Sequence, residues 1–216
     1  MNEEYSYTKV NPFTAIWLQT RNTVRYVIEE KSMGYVYMLI LLAGVASAFI
    51  SMYQGQDGLG LPIAVMVLGA VIVSPIAVLI GIAIMSGVYL LVGKMFKGTA
   101  AYQEMFKAVA TSMIPQIWLL PVLIIWMIFS PDSFFSDLNS EPMGGGAVFF
   151  TILFAIIMVV ITVWGIVIQS KAIGEAHHFS SWKGFFTLLI PSIIIGILVF
   201  VLFLIIFFII IGAASA

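Results

Sequence analysis

Apolar residues in this chain fall into five long runs, at roughly 35–53, 61–93, 108–129, 147–169 and 185–211, separated by shorter polar stretches. About 20 apolar residues suffice for a helix to cross the hydrocarbon core of a bilayer, so four of the runs predict single spans. The second run would measure about 50 Å as a helix, too long for one straight crossing. It contains Pro75 and glycines at 69, 81, 87 and 93, so it reads as one kinked, tilted helix or as two short spans. The nine basic residues decide between these: Lys9, Arg21, Arg25, Lys31, Lys94, Lys97, Lys107, Lys171 and Lys183. With five spans, all of them fall before span one, between spans two and three, or between spans four and five. Positive charge collects on the cytoplasmic side, which predicts a cytoplasmic N-terminus and an external C-terminus. Splitting the second run would put one cluster on the wrong side.

This pattern predicts an all-α integral membrane protein. A cytoplasmic segment, 1–34, precedes a five-helix transmembrane domain, 35–211, and a short extracytoplasmic tail, 212–216. The start, MNEEYSYTKVNPF, lacks the basic opening and short apolar core of a cleavable signal, so the first span is expected to act as a signal anchor. Within the leading segment a helix is expected over 11–31. Asn11-Pro12 suits an N-cap followed by proline at the first helical position. Phe13, Ile16, Trp17, Thr20, Val24, Val27 and Ile28 recur at helical spacing, with Arg21, Asn22, Arg25 and Glu29 largely off that stripe. Such a helix suits the membrane interface, with Trp17 and Tyr26 at headgroup depth and the arginines facing lipid phosphates. The alternative is a helix packed on the bundle.

Composition strengthens the membrane reading: 62% of the residues are hydrophobic and 9% charged, against about 25% charged in soluble domains. A net charge of −1 gives no bulk attraction to nucleic acid, and with no cysteine there is neither disulfide nor thiolate chemistry. No Asp, Glu, Lys, Arg or His lies well inside a predicted span, which argues against ion-coupled transport. Gln116 and Gln169 are the strongest polar groups there and suit interhelix bonding. Ala70, Ser74, Ala77 and Gly81 form a small-residue stripe in span two, fit for contact within the bundle, the favoured reading, or with a second copy. Pro75, Pro115, Pro121 and Pro191 are candidate kinks. Thr111 and Thr187 are placed to bond carbonyls one turn back.

The polar island GEAHHFSSWKGFF, 174–186, holds both histidines. Adjacent histidines on a helix diverge by about 100°, and zinc prefers a four-residue spacing with a nearby acid. A solvated helix-to-helix turn is therefore expected rather than a metal site. A pH-sensing role for His177 and His178 stays open. Residues 98–115 echo 174–191 without a gap, with identities at 98/174, 100/176, 107/183, 111/187, 114/190 and 115/191. That suggests a parallel pseudo-repeat. Within it, Phe106-Lys107 pairs with Trp182-Lys183. An aromatic beside a snorkelling lysine suits the membrane boundary, or a docking surface for a partner or anionic lipid. The acidic stretch SPDSFFSDLNSEPMGGG, 130–146, lacks the carboxylate spacing of a calcium loop. No phosphate loop, nucleophile elbow or zinc-protease motif is present, so neither enzymatic activity nor a cofactor is expected.

The order and spacing of several loose motifs resemble the Yip1-type membrane protein family in its bacterial form. The residues are Trp17, Arg21 and Arg25; Lys97-Gly98 with Phe106-Lys107-Ala108 and Ile114-Pro115; and Gly174 with Trp182-Lys183 and Pro191. The resemblance covers about 12 to 210 and implies five spans with a cytoplasmic N-terminus. It also implies a bacterial plasma-membrane protein that works beside an ABC-type exporter in tolerance to toxic peptides, as an accessory subunit without ATPase motifs of its own. The Asp-Leu-Tyr-Gly-Pro signature of GTPase-binding eukaryotic relatives is absent, so GTPase binding is not carried over. Candidate contacts to partner or lipid are Trp17, Arg21, Arg25, Phe106, Lys107, Trp182 and Lys183. Other readings are a permease or channel for an apolar or peptide substrate, and a lipid-organising protein; homo-oligomerisation is compatible with each.

Overall fold

A computed structural model describes residues 7–54, 63–129, 134 and 145–214. Its helices are α1 (Pro12–Ala15), α2 (Thr20–Glu30), α3 (Met33–Gln54), α4 (Ile63–Met95), α5 (Tyr102–Thr111), α6 (Ile114–Ile117), α7 (Leu119–Phe129), α8 (Gly145–Ala176) and α9 (Ser181–Ala214). There is no strand among the described residues. Five helical stretches are long and apolar enough to cross a membrane: Met33–Met52, Ala64–Met95, Tyr102–Phe129, Thr151–Ala176 and Ser181–Phe208. The protein is an all-α, multi-pass membrane protein. Most of the acidic stretch 130–146 lies outside the described residues.

The second span is one unbroken helix despite Pro75. The helix α3 packs along it, and Gly44 faces the Pro75 ring so closely that a methyl group at 44 would collide with the proline backbone. That contact places α3 on the Pro75 side of α4. The small-residue stripe does not make this contact: Ala77 is exposed and Gly81 faces open space. Ala70 and Ser74 are half-buried, so the close packing expected along the stripe is missing at two of its four positions among the described residues.

Span three is interrupted, not merely bent. Pro115 has no N–H to offer the Thr111 carbonyl and clashes with it, so α5 ends at Thr111 and α6 starts with Pro115 near its N-terminus. Between them Met113 N bonds Ala110 O at 3.2 Å, a tightened turn. Pro121 lies in the first turn of α7, where its missing donor has no intrahelical partner to lose. Pro191 sits inside the continuous α9. The Thr111 and Thr187 hydroxyls do bond carbonyls one turn back, Lys107 O at 2.7 Å and Lys183 O at 2.8 Å. The carbonyls that the prolines leave without a donor are those of Thr111 and Thr187 themselves.

The leading segment also differs from the single helix expected over 11–31. Asn11 caps α1 by accepting from Phe13 N at 3.1 Å, but helical structure stops at Ala15 and resumes at Thr20. Outside donors occupy the interrupted backbone: the indole N–H of Trp118 donates to Phe13 O at 3.0 Å, and that of Trp164 to Trp17 O at 3.1 Å. The Thr20 hydroxyl takes Ile16 O at 2.9 Å. With Phe13 O and Trp17 O satisfied from the bundle and Ile16 O by the Thr20 hydroxyl, these carbonyls do not need an intrahelical ladder.

The larger core joins α2, α5, the first half of α3 and the last turns of α4 and α8, through residues such as Val24, Val27, Leu39, Tyr89, Met105 and Ile173. A smaller one gathers Phe49, Leu119, Leu123, Trp126, Phe134 and Phe154. Spans one and three have 44% and 39% of their most apolar stretch buried inside the protein, against 6%, 11% and 6% for spans two, four and five. The first and third spans therefore form the centre, and the other three carry the apolar surface toward lipid.

Candidate functional site

At one end of the bundle, here called the polar end, α2 lies across the turn between α8 and α9. The residues Arg21 and Arg25 are four apart, so they share one face of α2. Both reach Glu175, in the last turn of α8: Arg25 Nε to Glu175 Oε1 at 3.0 Å and Arg21 Nη1 to Oε2 at 3.1 Å. Arg25 Nη2 also donates to Glu175 O at 2.9 Å and lies 3.2 Å from His178 Nδ1, and Nη1 pairs with Glu29 at 3.3 Å. The Arg21 Nη2 group donates to Phe179 O at 2.7 Å and Ser181 Oγ at 3.3 Å. The Arg25 and Glu175 side chains are only 6% and 9% exposed, and Arg21 is 41% exposed. Arg25 is thus directed inward, and the geometry supports a helix packed on the bundle. Burial of such a pair is tolerable because its hydrogen-bonding capacity is met on several sides.

Lys107 is buried on α5, and its ammonium donates to Ile28 O and Lys31 O, both at 2.7 Å. It caps the C-terminal carbonyls of α2, where the helix dipole favours a cation. Phe106 is buried beside it, 6.3 Å from Tyr37 and 6.2 Å from Tyr102 between ring centres. The other aromatic–lysine pair is different: Trp182 is 74% exposed and Lys183 is exposed too. Trp17 is half-buried against the larger core. The structure therefore joins Arg21, Arg25 and Lys107 into the scaffold and leaves Trp182 and Lys183 on its surface.

The two histidines divide their roles. His177 is buried between the last turn of α4 and the segment that follows. Its Nδ1 accepts from Ala100 N at 3.3 Å, and Nε2 stands 3.1 Å from Tyr89 O, so Nε2 carries the proton of a neutral ring. The ring stacks on Phe179 at 5.1 Å. Glycines 93 and 98 bracket it, and a methyl group at either would collide with the imidazole. Burial lowers its pKa from the usual histidine value; the Tyr89 carbonyl and Glu104 oppose that shift, while the neighbouring His178 and Lys94 side chains act in the same direction as burial. His178 adopts a left-handed backbone, φ 57°. It closes α8 by bonding its N–H to Glu175 O while Phe179 N bonds Gly174 O. Among the described residues, no group of three or more His, Asp or Glu is arranged to hold a metal.

The end of α4 repeats this closure: Lys97, φ 64°, bonds Lys94 O, and Gly98 N bonds Gly93 O. Geometrically Gly93 therefore matches Gly174, and Lys97 matches His178. The sequence echo paired Gly98 with Gly174 instead, so its first half is out of structural register. In its second half, Thr111 and Thr187 make equivalent bonds, but Pro115 begins a new helix and Pro191 does not. The two glutamines bond between helices: Gln116 Nε2 to Ser47 Oγ at 2.7 Å and Gln169 Nε2 to Tyr89 OH at 3.3 Å.

The role of Glu175 is what sequence reasoning missed. Its signal was a lone carboxylate in the polar island and two arginines at helical spacing in the leading segment. The family model described as the Yip1 domain matches residues 14–214. No curated protein and no solved structure matches the chain.

Proposed function

This chain belongs to the Yip1 domain family, and we propose that within it the protein is a non-enzymatic docking subunit of a larger membrane complex. The observation that supports this is the division of labour at the polar end. Arg21, Arg25, Lys107 and Glu175 are committed to one another and to backbone, so these four charged groups serve the scaffold. The first turn of α9 instead displays Trp182 and Lys183, with Phe186 46% exposed on the same helix. An exposed tryptophan beside a cation suits a protein hot spot. The partner that family resemblance favours is an ABC-type exporter, whose ATPase must be another chain. In this reading the polar end faces the cytoplasm, which the clustering of lysine and arginine there supports, and the membrane is the bacterial plasma membrane that the family resemblance suggests.

Crosslinking in native membranes, followed by quantitative mass spectrometry, tests this reading. We expect an exporter ATPase and permease to be recovered in fixed ratio with the tagged chain. The W182A and K183E variants should each lower that recovery about tenfold, the effect of losing one strong contact. Recovery of the chain alone, or unchanged recovery with the double variant, would sink the docking reading. Lys107 is unsuitable as a docking probe because its substitution disturbs α2.

A further inference from the structure

One cavity among the spans combines polar and apolar walls. It holds about 380 Å³, within the range of ligand pockets. One wall is the interrupted stretch of span three, with Ser112, Gln116 and Leu119; the other is α8, with Met158 and Gln169. No ionisable side chain lines it. Its polarity is graded along the bundle. Ser112 directly follows α5 and Gln169 lies about two turns before the end of α8, so both are on the polar-end side. Leu119, Met158 and Ile50 lie toward the opposite end.

Ser47 fixes which way the Gln116 amide points. The Ser47 hydroxyl donates to Ala43 O at 3.0 Å, so its oxygen can only accept, and Gln116 must offer it Nε2. That leaves the Gln116 carbonyl oxygen and one N–H without a partner among the described residues. An unsatisfied amide at this depth is unfavourable unless something in the groove bonds it. The leading segment ties the two walls together, because Trp118 and Trp164 stand next to groove-lining residues and donate to Phe13 O and Trp17 O.

We propose that this groove binds a neutral single-chain amphiphile, an uncharged membrane lipid of the monoacylglycerol type. Its hydroxyl meets the Gln116 amide, and its acyl chain runs along Leu119, Met158 and Ile50. A hydroxyl both donates and accepts, which matches what Gln116 has free. The uncharged lining gives a phosphate or ammonium headgroup no partner. The polar-to-apolar gradient follows the depth of a lipid entering from that leaflet. This site is independent of the docking surface on α9.

The test uses the full chain in phosphatidylcholine nanodiscs and two photoreactive probes with the same acyl chain, one monoacylglycerol and one lysophosphatidylglycerol. Labelled peptides are mapped by mass spectrometry. The neutral probe should mark 112–119 and 158–169, and the anionic one should not. The Q116L variant should lower labelling about tenfold, as expected for loss of the recognising hydrogen bonds. Because Q116L also removes the tether to Ser47, G165F is the second variant. Gly165 lines the groove, and a side chain there meets no protein atom within 4 Å of its Cβ, so phenylalanine fills the space and should block labelling in a folded protein. Equal labelling by both probes, labelling indifferent to G165F, or no labelling of these segments overturns the proposal.

Discussion

The polar end and the opposite half of this bundle are built on different principles. At the polar end α2, α5 and the ends of α4 and α8 interlock around a buried core. Side chains from distant parts of the chain cross-link it: Arg25 to Glu175, Lys107 to Ile28 O and Lys31 O, and His177 to Tyr89 O and Ala100 N. In the other half, every residue of α9 from Ser192 to Phe208 except Leu204 is exposed. The first kind of assembly is fixed by specific hydrogen bonds and ion pairs as well as by apolar packing. In lipid, apolar side chains gain little from leaving the solvent, so helices there need not bury themselves against one another. One chain thus contains a region packed like a small soluble domain, continuous with helices whose surroundings are supplied by the bilayer.

The comparison breaks most directly at Glu175. E175A leaves Arg25 charged and buried, and should lower stability by about 3–5 kcal/mol, measured by unfolding of the purified protein in mild detergent. The double variant R25M/E175L, which replaces the pair with apolar groups, should recover much of that loss. K107M removes two charge-assisted bonds to α2 and should cost about 1.5–3 kcal/mol in the same measurement. G93A drives a methyl group into the His177 ring, and should cost about 1–3 kcal/mol by overpacking.

Acid should act on the polar end through His177. Burial depresses the pKa of His177 below the usual value of 6.5, so the unfolded chain takes up a proton first as pH falls. Its contribution to stability is complete above about 6.5 and is lost as pH drops through that value toward the folded pKa, by at most about 1.4 kcal/mol per pH unit. Protonation would also set an Nδ1–H against the Ala100 N–H. Melting at pH 5.5 and 7.5 should show this slope, flattened in H177Q. The smallest effect is expected in the other half: I197A on the exposed part of α9 should change stability by no more than about 0.5 kcal/mol.

The sequence carried one of these regions much better than the other. Hydropathy located all five apolar runs, because a lipid-facing helix needs only length and apolarity, and the placement of the basic residues made the second run one span instead of two. The polar end depends on pairings that periodicity does not encode. The stripe of the leading segment was visible, but its interruption after Ala15 is caused by indoles more than a hundred residues away, in Trp118 and Trp164. Lys107 and Lys183 follow aromatics in the same way, yet only Lys107 has helix-terminal carbonyls to cap. The histidine turn was recognised as a turn, whereas the glycines that grip His177 come from α4 and the segment after it. Pro115 was legible as a disturbance, but not as the boundary between two helices.

The Arg25–Glu175 bond also sets an order of events during synthesis. Its partners are 150 residues apart, which a ribosome covers in roughly 8–30 s at about 5–20 residues per second. Through that interval α2 has been made but its arginines have no carboxylate from α8. The polar end therefore cannot be sealed until the fourth span has emerged, and a chain that stops earlier lacks the carboxylate that Arg21 and Arg25 share. The ion pair records in the finished molecule that the first four spans have been delivered.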